Sequence, residues 1–227
     1  MLPIGFIIVI GLNEMQIFLD TANLEDIEYY KDFIDGVTTN PSILSKHNAK
    51  DHKDIILRIC ELVRGHVSVE VISETAEEML KEGRTIAKLH DQVCVKLPCT
   101  YDGLRVCKIL SGDGIATNVT LCFSATQAVL AAKCGATYVS PFIGRLDDIG
   151  QDGLSLIEEI HGVYQQSGYE TGILAASVRN TYHVLQSAMI GVDAITMSPK
   201  ILQSCMEHHL TNAGLQIFAR DWKNRKK

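Results

Sequence analysis

From Met15 onward, apolar positions along the chain alternate between two spacings. Short β-branched or aliphatic runs give way to longer stretches whose apolar residues recur three and four positions apart, the pattern of strand and helix in turn. The runs QIFLD (16–20), GVTT (36–39), VSVEV (67–71), VCVKL (93–97), ATNVT (116–120), TYVSP (137–141), GILAA (172–176) and DAITM (193–197) predict eight strands. Between them, TAEEMLKEGRTIAKLH (75–90) can gather Met79, Leu80, Ile86 and Leu89 on one face, with Ser73 just ahead of the helix start. Asn40-Pro41 before SILSK puts a proline near a first helical position, where its missing N–H is harmless.

Eight strands alternating with helices predict the α/β class and a single (β/α)8 TIM barrel; an open doubly wound sheet has the same local pattern. No GxGxxG follows the first strand, which weighs against dinucleotide binding. Beyond the eighth strand, SPKILQSCMEHH and LTNAGLQIFARDWKNRKK predict a closing helix and an additional C-terminal helix. Leu215, Phe218 and Trp222 on that last helix can pack on their own barrel or on a neighbouring subunit. Residues 15–227 are read as one domain, since barrels of about 250 residues are single domains. Residues 1–14, MLPIGFIIVIGLNE, are an extension or a start placed too early, and the sequence leaves both open. Their apolar run is too short to span a bilayer and lacks the charged lead of a signal peptide, so no membrane partner is expected.

Composition narrows the function classes. With 46% hydrophobic and 21% charged residues, no segment reads as disordered. A net charge of −6 with scattered basic residues offers no footprint for nucleic acid, and the KNRKK ending reads as a solvated tail. Seven cysteines, odd in number and without a CxxC pair, suit reduced thiols in a cytoplasmic protein. The histidines, including His208-His209, lack metal-ligand spacing, so no metal is expected.

Aliphatic side chains normally fill a barrel, so polar residues at the C-terminal ends of strands are the candidates for chemistry. The first strand ends in Asp20 and the second runs into Thr38, Thr39 and Asn40; the third carries Glu70, the fourth Lys96, the fifth Asn118 and Thr120, the sixth Ser140. A lysine inside the apolar run VCVKLP must lose its charge, sit at an exposed edge, or pair with a carboxylate such as Glu70. An uncharged amine would be a nucleophile for a carbonyl. Asp20 and Glu70 can each be a general acid or base, a helix cap or an ion-pair partner. Arg145 and Arg179, after the sixth and seventh strands, can converge with Ser177 and helix-start N–H groups on an anion, or lie solvated at the surface.

LDTA (19–22), GVTTNPSIL (36–44), VSVEVISETAEEM (67–79), VCVKLPCT (93–100), ATNVTLCFSATQA (116–128), YVSPFIGRLDD (138–148) and ILAASVRN (173–180) resemble the transaldolase family, in particular its small-subunit branch, which includes fructose 6-phosphate aldolases. The resemblance implies that Lys96 forms a Schiff base with a ketose donor and that Asp20 assists C–C cleavage. Glu70 and Thr120 would hold the water that shuttles protons. Thr38, Asn40, Asn118, Ser140 and Phe142 would lie around the donor, and Arg145, Ser177 and Arg179 would bind its phosphate. Glu70 and Phe142 match the transaldolase choice, where the aldolase branch has glutamine and tyrosine; Val178 departs from a frequent phenylalanine. The implied reaction moves dihydroxyacetone from fructose 6-phosphate or sedoheptulose 7-phosphate to an aldose phosphate of the non-oxidative pentose phosphate pathway without a cofactor; an aldolase that releases free dihydroxyacetone and a non-catalytic sugar-phosphate-binding protein are the alternatives. A homo-oligomer, in the form of a pentamer-based decamer, is implied as well.

Overall fold

The computed structural model describes residues 14–45 and 52–225. Apart from Glu14, the segment 1–14 lies outside the described residues. The strands are β1 (Gln16–Asp20), β2 (Gly36–Thr38), β3 (Val67–Glu70), β4 (Val93–Pro98), β5 (Thr117–Cys122), β6 (Tyr138–Pro141), β7 (Gly172–Ala175) and β8 (Ala194–Met197). They run parallel in chain order and close into a barrel, because β8 pairs with β1 from Gln16↔Ala194 to Leu19↔Met197. Closure rules out the open sheet.

The helices in chain order are α1 (Leu24–Tyr30), α2 (Pro41–Leu44), α3 (His52–Leu62), α4 (Ala76–Ala87), α5 (Tyr101–Gly112), α6 (Ala125–Lys133), α7 (Ile143–Asp147), α8 (Gly153–Ser167), α9 (Thr181–Ile190), α10 (Pro199–Met206) and α11 (His209–Asn224). Asn40 caps α2 by accepting from the Ile43 N–H at 3.0 Å, with Pro41 at the first position. α4 is shorter than the apolar spacing suggests and is capped by Thr75, not Ser73: the Thr75 hydroxyl donates to Glu78 at 2.9 Å, the Thr-x-x-Glu spacing of a helix start. The Ser73 N–H is instead taken by the Glu82 carboxylate at 2.9 Å.

Side chains on a strand alternate between faces, so each barrel strand carries an inward and an outward track. Outward-facing Leu19, Val37, Val69, Val95, Val119, Val139, Ile173 and Ile195 are buried in the main core beneath the helices. Phe18, Cys94, Tyr138, Leu174 and Ala194 form a separate apolar cluster. These are the inward positions of β1, β4, β6, β7 and β8, and they plug the lower barrel. Two residues further along the same tracks stand Asp20, Lys96, Ser140, Ala176 and Thr196. Alternation alone therefore carries the polar residues to the C-terminal mouth.

The end of the chain departs from one of its two predicted packings. No residue of α11 is buried, and Leu215, Phe218 and Trp222 are 61%, 71% and 68% exposed, so this apolar stripe does not pack on its own barrel.

The link from β4 to α5 follows directly on the buried lysine and leaves no room for a side chain at Gly103, where a Cβ would run into the Pro98 carbonyl. Gly103→Ala is expected to destabilise the protein by about 2 kcal/mol, lowering Tm by roughly 5 °C in calorimetry.

Candidate active site

The C-terminal mouth of the barrel opens into a cleft of about 530 Å³. Asp20, Thr38, Asn40, Glu70, Lys96, Thr120, Ser140, Phe142, Arg145, Ser177 and Arg179 all line it. Residues from seven different strands or their following loops meet there.

Lys96 is 6% exposed, which rules out the surface-edge alternative. Its Nζ lies 3.1 Å from Glu70 Oε2 and donates to the Thr39 carbonyl at 3.2 Å. Glu70 and Lys96 are register partners on adjacent strands and share the inward track, so the contact follows from strand pairing. The ion pair weighed from the sequence is therefore present, inside the cleft, with the amine beside a carboxylate able to take its proton.

Asp20 accepts from the Thr38 hydroxyl at 2.8 Å. Burial raises its pKa above the ordinary aspartate value, while the nearby Lys96 charge and the Thr38 hydrogen bond pull the other way without cancelling it. Asn118 does not line the cleft; it is fully buried. Its amide donates to Ser68 Oγ at 3.1 Å and its oxygen accepts from Ser140 Oγ at 2.7 Å, making a cross-barrel tie through β3, β5 and β6.

The Thr120 hydroxyl is buried and has no hydrogen-bond partner among the described residues. Such a group facing a polar cleft is a ready site for water or a substrate hydroxyl. Just beyond it, Leu121 adopts φ 57° and the β5–β6 register shifts between Val119 and Cys122. A bulge of this kind spends backbone strain at a strand end where the chain must be re-aimed.

At the neighbouring stretch of the rim, after β6, the Arg145 guanidinium sits 5.0 Å from the centre of the Phe142 ring, which in turn meets Phe123 edge-on at 5.7 Å. Arg179 pairs with Asp148 at 3.0 Å in an exposed contact, weak enough for a bound anion to displace. Ser177 adopts φ 57°, and its carbonyl accepts from the Gly144 N–H at 2.9 Å. A Cβ at Gly144 would collide with the Arg179 side chain, so the glycine clears the path of that arginine. Of the helix-start N–H groups expected to help hold an anion, that of Arg179 is taken by His183 Nδ1 at 3.3 Å, and those of Ile143 and Gly144 by backbone carbonyls.

Three features escaped the sequence reading. Thr196 on β8 lines the cleft, Ser68 on β3 anchors Asn118, and His183 holds the Arg179 backbone. Thr196 and Ser68 carried a usable signal: each is a polar residue on the inward track of an otherwise aliphatic strand. His183 had none, because its role depends on how α9 packs.

A closed (β/α)8 barrel with a buried amine, two carboxylates and a cationic rim at its C-terminal mouth has its polar groups where barrel enzymes carry their active sites. The profile of the transaldolase/fructose-6-phosphate aldolase family matches residues 17–227, and the chain belongs to this family. It is 51% identical over 210 residues to a probable transaldolase of Sinorhizobium medicae, covering 92% of this chain and 96% of that one. A probable transaldolase of Desulforapulum autotrophicum is 50% identical over 213 residues, covering 93% and 99%. A solved chain described as a candidate fructose-1,6-biphosphate aldolase from Coccidioides immitis shares the fold, with TM-score 0.56 at 13% identity over 81% of this chain and 73% of that one. The protein is thus an enzyme of the aldolase/transaldolase type.

The raised pKa of Asp20 has a consequence for stability. The folded protein holds this proton more tightly than the unfolded chain does, so ionising Asp20 costs the fold stability, and the full cost applies above the raised value. Asp20→Asn removes that charge and is expected to raise Tm at neutral pH by about 2 °C, with the gain vanishing below the ordinary aspartate value of 3.8. Thermal melts of both proteins across pH check the sign.

Proposed function

We propose that this enzyme is a transaldolase, moving a dihydroxyacetone unit from fructose 6-phosphate or sedoheptulose 7-phosphate to an aldose phosphate through a Schiff base on Lys96. The observation that carries the reading is the buried Lys96 amine 3.1 Å from Glu70 at the cleft floor. Lys96 passes a proton to Glu70 and attacks the ketose carbonyl. Water leaves the carbinolamine with protons carried by a water held between Glu70 and the Thr120 hydroxyl. Asp20 then takes the C4-hydroxyl proton as the C3–C4 bond breaks, and the bonding pair flows into the protonated imine to give an enamine. The aldose phosphate departs; the enamine adds to a second aldose phosphate, and hydrolysis frees Lys96. The imine is the electron sink, so the route requires no cofactor.

Arg145, Ser177 and Arg179 bind the phosphate in this reading, with Asn40 and Ser140 on the donor hydroxyls. Asn118 acts from beneath by fixing Ser140. Phe142 supports transfer over simple cleavage, since it offers no hydroxyl to help water release the bound dihydroxyacetone, and it also carries Arg145 on its ring face. The seven free cysteines suit a cytoplasmic enzyme, and the exposed stripe of α11 suits burial against another copy, as in a pentamer-based decamer. Among the described residues no helix is long and apolar enough to cross a membrane.

Release of glyceraldehyde 3-phosphate from fructose 6-phosphate is the direct assay. Sustained turnover is expected only when erythrose 4-phosphate is present; turnover without it would make the enzyme an aldolase that frees dihydroxyacetone. The acid limb of turnover is expected above 3.8, since Asp20 must be ionised to accept a proton and its pKa is raised. Lys96→Met is expected to abolish turnover and borohydride trapping of the substrate while leaving the fold intact by circular dichroism. Trapping that persists on another lysine would overturn the assignment.

A further inference from the structure

The Thr38 hydroxyl donates to Asp20 Oδ1 at 2.8 Å and lies 2.7 Å from the Thr196 hydroxyl. A threonine hydroxyl has one hydrogen to give and two lone pairs to accept with. With the Thr38 hydrogen committed to Asp20, its contact with Thr196 forms only if Thr196 donates. The hydrogens therefore point one way, from Thr196 to Thr38 to Asp20. Both threonines are buried, at 6% and 2% exposure, and they stand on β8 and β2, the two strands that flank β1 and its Asp20.

We propose that Thr196 is a positioning residue for Asp20, acting through Thr38 as a two-hydroxyl chain whose direction follows the protonation state of the carboxyl group. This rests on the reading of Asp20 as the base for the C4 hydroxyl. While Asp20 is ionised, Thr196 holds the Thr38 hydrogen on the carboxylate and so fixes the oxygen that receives the substrate proton. Once Asp20 has that proton, the carboxylic acid itself can donate to Thr38. Thr38 accepts it only by turning its own hydrogen toward Thr196, which rotates in turn. No proton leaves the three groups in this step; two hydrogen bonds reverse direction between fixed oxygens. A residue without a hydroxyl at 196 can neither give nor take a hydrogen, and the chain loses both settings.

The charges facing Asp20 come from across the barrel. Lys96 on β4 favours its ionised form, Glu70 on β3 is paired with Lys96, and Arg145 and Arg179 line the same cleft. Substitution at 196 leaves all of them in place, so its effect on the carboxyl reports the hydroxyl chain alone.

The test is a ¹³C-carboxyl NMR titration of aspartate in the unliganded enzyme, with the Asp20 signal assigned by its loss in Asp20→Asn. In Thr196→Val, which keeps the shape and removes the hydroxyl, Asp20 is expected to titrate higher by about half a unit, since the hydrogen bond favouring its ionised form weakens. The acid limb of kcat should rise with it at a roughly constant KM for fructose 6-phosphate, and Thr196→Ser should restore both. An unmoved Asp20 titration in Thr196→Val, or a serine variant that behaves like valine, overturns the proposal. If the valine variant does not fold, Thr196→Ala is read in the same way. Wild-type turnover by Asp20→Asn would overturn the base assignment and the catalytic meaning of the chain with it, and the titration tells that failure apart from failure of the chain itself.

Discussion

Everything at the mouth of this barrel depends on the two-residue period of its strands. A closed sheet has an inside and an outside, and a strand position cannot exchange one for the other without slipping register along its whole length. The inward tracks begin with Phe18, Cys94, Tyr138, Leu174 and Ala194, which seal the lower barrel. One step of the same tracks, about 6.6 Å of strand rise, reaches Asp20, Lys96, Ser140, Ala176 and Thr196. The sealed layer keeps water from reaching the polar one from below. A lower effective dielectric there strengthens each polar contact and makes each unpaired group costlier.

That cost explains why the polar residues are tied to one another before any substrate arrives. Thr196, Thr38 and Asp20 form one chain, Ser140, Asn118 and Ser68 a second, and Glu70, Lys96 and the Thr39 carbonyl a third. Each side chain is then held by partners on neighbouring or facing strands, and the reacting groups need little reorganisation to act. Thr120 is the exception, a buried hydroxyl without a partner among the described residues, set against the strained backbone of Leu121. An orphan hydroxyl within an otherwise satisfied network is the natural place for a mobile small molecule to be exchanged.

How much of this could be read from the chain differed by kind of feature. The strands were legible because β-branched runs at period two are a strong local signal, and every one of the eight lies within a residue or two of its predicted place. Closure was not legible from periodicity, since the pairing of Gln16 with Ala194 joins residues at opposite ends of the chain. Lys96 stood out because a cation inside VCVKLP has few tolerable explanations, and the structure selects one of them, the pair with Glu70. Spacing could not rank Asn118 below the cleft, because depth within a barrel depends on strand stagger as well as on parity. Thr196 was easily passed over, because a threonine is an ordinary β-strand residue; its place on the inward track was the available signal, and its contact with Thr38 shows what it does. The start of α4 lies where the 75–90 stretch put it, with Thr75 as the cap, while Ser73 just ahead gives its N–H to Glu82.

The two ends of the site are built to different tolerances. The amine and carboxylates ride on strands and are locked by buried bonds, whereas the arginines sit on a short helix and a loop, one resting on an aromatic face and the other on an exposed carboxylate. Carbon–carbon bond chemistry needs reacting atoms placed to within fractions of an ångström, while a phosphate can be gripped by charges that adjust. Phe142 stands where these requirements meet. Its ring packs on Phe123 and carries Arg145 on its face, so it transmits the rigidity of the strands to the cationic rim. Under the proposed transfer reaction, a side chain that withholds a hydroxyl from the reacting centre would thereby also help set the distance between a bound phosphate and Lys96.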